Sequence, residues 1–238
     1  MAYDIQKVID TALSEVGYLE KASNSKLDSR TGNAGKGNYT KYARDLDKLN
    51  FYNGKKQGFA WCDVFVDWCF VQSYGKSAAL SLLCQPTQAK RNCGAGCQYS
   101  RGYYKANGQL HSTPQVGDQI FFGTSSKSTH TGIVYRVDKD TVYTIEGNTS
   151  GAAGVVSNGG GVCKKAYPLT YSKICGYGRP KYGSSPANTT YVVQNGDSLW
   201  RIAQKLLGNG NRYKDIQQLN GLSNDLIKVG QKLKIPQK

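Results

Sequence analysis

The chain has 238 residues and seven cysteines, with 31 Lys and Arg against 16 Asp and Glu, for a net charge of +15. A hydrophobic share of 39% with 11% aromatics is enough to build a core, which excludes a disordered chain. No apolar run approaches the roughly 20 residues that span a bilayer, so membrane insertion is not expected.

In chain order, residues 3–20 read as an amphipathic helix, with Ile5, Val8, Ile9, Ala12, Leu13 and Val16 at three- and four-residue steps and Gly17 near its end. The polar, glycine-rich stretch 23–40 reads as a loop, and 45–50 as a short helical turn. Residues 60–74 carry Val64, Phe65, Trp68, Cys69 and Phe70 in helical register, and Gly75 stops them. From Val116 the pattern turns to short β-branched and aromatic strands at 119–122, 131–137 and 141–145, punctuated by Gly117-Asp118 and Asp138-Lys139-Asp140. Helices first and antiparallel strands later predict an α+β domain over 1–182. Residues 183–189 have the small, polar, proline-containing composition of a linker. Beyond them, a strand at 191–193, helices at 198–207 and 212–220, and a strand at 232–235 predict a compact βααβ module over 190–238.

The basic residues are scattered singly or in pairs such as Lys55-Lys56, Lys90-Arg91 and Lys164-Lys165. That spread, with no accompanying nucleic-acid motif, points away from nucleic acid and toward an anionic partner such as a teichoic-acid-bearing wall or a membrane surface. A solubilising surface is the plain alternative. Seven cysteines are an odd number, no CxxC pair exists, and His111 and His130 complete no zinc spacing, so no metal is expected. Most cysteines are expected to be small buried hydrophobes, with a Cys163–Cys175 or Cys93–Cys97 bridge left open. The first residues lack the basic-then-apolar layout of a secretory signal, so synthesis in the cytosol is expected.

One constellation carries chemistry. Cys62 opens the apolar helix, where unpaired N–H groups and the helix dipole favour a thiolate, the attacking species in nucleophilic catalysis. His130 stands at the mouth of a strand and supplies a base. Glu146 follows at the end of the next strand, where a hairpin can set it beside His130; its carboxylate, or the Asn148 amide, can then fix the ring. Each residue alone has a plain reading: a core cysteine like Cys69, a satisfied histidine, a surface charge. The order of nucleophile on a helix start, then strand-borne histidine and carboxylate, is papain-like.

These residues bring out a family resemblance. The motifs Trp61-Cys62-x-x-Phe65-Val66-x-Trp68, Pro114-x-x-Gly117-Asp118-x-Ile120-Phe121-Phe122, His130-Thr131-Gly132-Ile133-Val134 and Ile145-Glu146-Gly147-Asn148-Thr149 resemble CHAP, the cysteine, histidine-dependent amidohydrolase and peptidase domain of cell-wall lytic enzymes. The resemblance covers roughly 5–182 and implies a papain-like fold. It also implies an amide-hydrolysing site with Cys62 as nucleophile, His130 as general base and then acid, Glu146 orienting His130, and Asn148 assisting. Oxyanion donors would be the Cys62 N–H and, as a second candidate, Gln57, whose plain reading is a loop amide. Some members carry an aspartate-rich calcium loop before the nucleophile. Here only Asp45 and Asp47 are near, in a segment that reads as helical, and no cofactor is expected.

The C-terminal segment resembles LysM, a module that binds N-acetylglucosamine-containing glycans. The carrying residues are Tyr191-Val-Val-Gln-Asn-Gly-Asp197-Ser198-Leu199-Trp200-x-Ile202-Ala203, Ile216-x-x-x-Asn220-Gly221-Leu222 and Ile227-x-Val229-Gly230-Gln231-x-Leu233-x-Ile235-Pro236. Asp197 or Ser198 can cap the helix, and Trp200 is read as a core aromatic, with a sugar-facing platform as the alternative. The resemblance implies a glycan site between Gly196, Asp197, Ser198 and Leu199 on one loop and Asn224, Asp225, Leu226 and Ile227 on another. Together the two resemblances imply a monomeric peptidoglycan hydrolase of the phage endolysin type, made in the host cytoplasm and released to the wall through a holin lesion. The alternatives are an N-acetylmuramoyl-L-alanine amidase, a secreted autolysin, or a wall-binding protein without catalysis.

Overall fold

The computed structural model describes residues 3–86, 95–183 and 189–236. It divides into two compact units, one spanning Ile5–Lys181 and the other built on the chain from Tyr182 onward.

In the first unit, α1 (Ile5–Ser14) buries Val8, Ile9 and Ala12. It ends six residues before the expected limit because Gly17 takes φ +90 and donates its N–H to Val162 O at 2.9 Å, tying that segment to the sheet. α2 (Lys41–Lys48) starts earlier than the expected turn, since the Thr40 hydroxyl caps it by accepting from Ala43 N. α3 (Cys62–Tyr74) ends at Gly75, as expected, with φ +80. It is buried around nearly its whole circumference, which explains an apolar sequence without an amphipathic stripe. Two further helices, α4 (Lys76–Leu82) and α5 (Cys97–Ala106), fall outside the expected elements.

Six strands follow: β1 (Leu110–His111), β2 (Gln119–Gly123), β3 (Ser128–Val137), β4 (Thr141–Thr149), β5 (Gly161–Pro168) and β6 (Ile174–Gly178). They form one antiparallel sheet in the order β1-β6-β2-β3-β4-β5. This is the expected α+β arrangement, with β1, β5 and β6 added to the expected strands. Ile120, Phe122, Val134, Val142, Tyr167 and Tyr177 form one core cluster on the sheet, and α3 packs against β3 and β4.

That packing depends on a glycine. A Cβ at Gly147 would lie 2.5 Å from the Phe65 Cβ and 2.9 Å from the Trp61 ring, so α3 reaches β4 only where the strand has no side chain. Gly147→Ala is therefore expected to cost about 1–3 kcal/mol through overpacking, read as a lowered Tm in thermal unfolding. An unchanged Tm would contradict this account of the contact.

The Cys163–Cys175 bridge is not formed; both are free thiols. Cys163 lies on β5 and Cys175 on β6, with β2, β3 and β4 between them in the sheet, far beyond disulfide reach. Cys93 and the Lys90-Arg91 pair lie outside the described residues, as does most of the expected linker. Among the described residues no helix is long and apolar enough to cross a membrane.

In the second unit, β7 (Thr189–Val192) pairs antiparallel with β8 (Lys232–Ile235). Between them lie α6 (Leu199–Leu207), a short 3-10 turn (Gly210–Arg212) and α7 (Tyr213–Leu219), giving the expected βααβ order. Val193, Leu199, Ile202, Ala203, Leu207, Ile216, Leu233 and Ile235 close its core. Trp200 is not in that core. It is 51% exposed, because it sits about 100° round α6 from the buried Leu199, and its ring lies against Gly210.

Candidate active site and glycan-binding module

His130 and Glu146 are brought together. Both are fully buried, and His130 Nε2 lies 2.9 Å from Glu146 Oε2. The carboxylate also accepts from Thr144 Oγ1 at 2.5 Å and Tyr167 Oη at 3.3 Å, so its orientation is fixed from several sides. The contact needs Gly132: a Cβ there would stand 2.5 Å from the Glu146 Cγ, which crosses that strand on its way to the histidine. Phe122 stacks on the imidazole with ring centroids 6.0 Å apart. A carboxylate on Nε2 holds the proton there and leaves the lone pair on Nδ1. That Nδ1 is buried and has no hydrogen-bond partner among the described residues.

Cys62 is the first residue of α3, and the preceding Trp61 gives the helix no side-chain cap. Trp61 is itself anchored, its Nε1–H donating to Glu20 Oε2 at 2.7 Å. No hydrogen bond joins Cys62 to His130 in this structure. The Cys62 thiol interacts instead with Cys97, the first residue of α5. That contact, followed by burial, pushes the Cys62 thiol well above the ordinary range. The neighbouring thiol and the loss of solvent thus act against the helix N-terminus, which favours the thiolate. Cys97 is a site residue that sequence spacing did not reveal.

One further expectation changes. Asn148 does not reach His130; its amide group is bonded to Asn158 and to Gly160 N, at 3.4 and 3.3 Å. The strand is bulged between Glu146 and Thr149, and Asn148 adopts φ +54, so the two-residue alternation that would align it with Glu146 is broken. Gln57 follows its plain reading as a loop amide. Its amide oxygen accepts from Thr40 N at 2.9 Å, and its amide nitrogen donates to Thr40 O and Asn24 Oδ1. Asp45 accepts from Arg44 and Trp68, and Asp47 from Lys56 N. His111, on β1, lines a separate cavity of about 580 Å³ with Arg101 and Cys175.

In the second unit, Ser198 caps α6 by accepting from Arg201 N at 3.2 Å. Asp197 accepts from Tyr191 Oη and Gln194 N, both at 2.8 Å, which hold its carboxyl below the usual range. Gly196 takes φ +82 and its carbonyl accepts from Arg201. Leu199 is buried in the core, so only its backbone is available to a ligand. On the other loop, Asn224 Oδ1 accepts from Leu226 N, Asp225 is exposed, Leu226 is 81% exposed, and Ile227 packs partly against the core.

Comparison with known proteins agrees with both units. Residues 54–148 match the CHAP domain and residues 191–236 the LysM domain. An N-acetylmuramoyl-L-alanine amidase sle1 of Staphylococcus epidermidis is 54% identical over 54 residues, covering 23% of this chain and 16% of that protein. The protein of the same name in Staphylococcus aureus is 28% identical over 180 residues, covering 71% of this chain and 49% of that one. A probable peptidoglycan endopeptidase LytE of Bacillus subtilis is 48% identical over 46 residues, covering 19% and 13% respectively. The chain thus spans about half or less of the length of these relatives.

Proposed function

We propose, from a CHAP domain followed by a LysM domain in one chain, that the protein is a cysteine-dependent peptidoglycan hydrolase held on wall glycan while it cuts a peptide-portion amide. The observation that carries this reading is the buried His130–Glu146 pair, with an unpartnered Nδ1, in the same domain as a cysteine on a helix start. The names of the relatives, an amidase and an endopeptidase acting on peptidoglycan, support the substrate class.

Glu146 keeps the proton on Nε2, so Nδ1 is the base that takes the Cys62 proton once substrate brings the two together. Burial and the neighbouring Cys97 push the free thiol up, which favours general-base removal of its proton over a standing ion pair. The thiolate attacks the amide carbonyl, and the oxyanion accepts from the Cys62 N–H among the uncapped N–H groups of α3. His130 then gives its proton to the leaving amine, and water resolves the thioester.

The second unit is read as the glycan anchor, with Gly196, Asp197, Ser198 and the Leu199 backbone on one loop and Asn224, Asp225, Leu226 and Ile227 on the other as its proposed contacts. The net charge of +15 adds attraction to an anionic wall. The full chain is therefore expected to sediment with purified sacculi, and to do so less as salt is raised, because screening weakens attraction between exposed charges. Cleavage of small soluble muropeptides should be less affected by salt. Failure to sediment at any ionic strength would remove the anchoring part of the reading.

A further inference from the structure

The N-termini of α3 and α5 are fastened together. Asp63, the residue after Cys62, is buried and accepts from Gly96 N at 2.8 Å, and Gly96 is the residue before Cys97. The same carboxylate accepts from Ser100 Oγ at 2.8 Å, one turn into α5, and from Gln119 Nε2 at 3.0 Å, on β2. One carboxylate thus holds both helix starts and the sheet in register. That clamp sets Cys62 and Cys97 beside each other at the two helix starts, and Cys97 Sγ also donates to Ser128 O at 3.6 Å, two residues before His130. Each cysteine is only 8% exposed, which restricts bulky reagents more than small ones. A fixed pair of neighbouring, unlinked thiols, one of them the proposed nucleophile, has a specific redox chemistry.

We propose that Cys97 is the resolving thiol of a reversible oxidative lock on Cys62, with a hydroperoxide as oxidant. The proposal rests on the reading of Cys62 as nucleophile. In the first step the Cys62 sulfur attacks one peroxide oxygen, the O–O bond breaks, and the thiol proton passes to the departing oxygen. Cys62 becomes a sulfenic acid, and hydrogen peroxide, reduced by two electrons, leaves the other oxygen as water. In the second step the Cys97 sulfur attacks the Cys62 sulfur and the S–OH bond breaks. The departing hydroxyl leaves as water with the Cys97 proton, and a Cys62–Cys97 disulfide remains. The nucleophile is then masked, and it is also shielded from oxidation to the irreversible sulfinic acid. A dithiol reopens the bond by exchange.

The test uses the pre-reduced full chain, treated with hydrogen peroxide and then with dithiothreitol, with lysis of sacculi measured at each stage. The wild type is expected to lose about tenfold or more of its activity and to regain most of it, as a disulfide does and a sulfinic acid does not. Mass spectrometry of the oxidised digest should show the Cys62 peptide joined to the Cys97 peptide, with fragmentation placing the bond. Cys97→Ser, read against its own untreated activity, should be inactivated without recovery and carry sulfinic acid at Cys62. The proposal is overturned if the wild type resists peroxide, if dithiothreitol does not restore it, if Cys62 is joined to a different cysteine, or if Cys97→Ser recovers like the wild type. Should Cys97→Ser fail to fold, the linked peptide in the wild type decides. Lysis by Cys62→Ala would instead defeat the nucleophile assignment, a result the linked peptide does not depend on.

Discussion

Cys62→Ala is expected to reduce lysis of purified sacculi to the buffer background, a fall of about a thousandfold or more, as loss of a catalytic nucleophile requires. The size follows from the chemistry: without the Cys62 sulfur the proposed acyl intermediate cannot form. Alanine is tolerated in the fold, because Cys62 is a small side chain at a helix start and its loss opens only a small space. Wall sedimentation should be unchanged, since the LysM core of Leu199, Ile202, Ile216 and Leu233 contains no residue of α3. The measurements are turbidity loss and sedimentation on the same folded protein. Appreciable lysis by a folded Cys62→Ala protein would overturn the assignment of the nucleophile.

Glu146→Gln is expected to lower kcat by about a hundred- to ten-thousandfold, by analogy with loss of the carboxylate that orients a catalytic histidine. Thr144 and Tyr167 both donate hydroxyl protons to the Glu146 oxygens. An amide nitrogen in one of those places would meet a donor. An amide N–H turned toward His130 Nε2 would draw the imidazole proton to Nδ1, where the proposed base needs its lone pair. The side chain keeps its volume over Gly132, so the loss should appear in kcat far more than in KM or Tm. A variant that keeps wild-type kcat would show that Glu146 is a structural partner only.

How much of this was legible in the sequence depends on how local the signal is. α3 and strands β2 to β4 were readable because long apolar runs and β-branched alternation carry their own period, and the LysM module because its caps and core positions are closely spaced. α4 and α5 were not readable: they are short, and they fold against α3 and the sheet through partners distant in sequence, such as Asp63 to Ser100. β5 and β6 likewise take their place from pairing with β4 and β2. The His130–Glu146 contact was legible because two adjacent strands and a hairpin predict it. Asn148 was misplaced because a bulge is invisible to a two-residue rule, and Cys97 was missed because its nearness to Cys62 depends on a backbone N–H at Gly96 finding Asp63. Trp200 is a different failure: its hydrophobicity suggests a core, while its position on α6 puts it at the surface.

The central claim, amide hydrolysis by Cys62 with His130 as its base, is tested most directly by mass spectrometry of fragments released from purified sacculi. The account predicts fragments with one new free amine and one new carboxyl per cut and intact glycan linkages, released by the wild type and absent with Cys62→Ala. New reducing sugar ends, or the same fragments from folded Cys62→Ala, would contradict it.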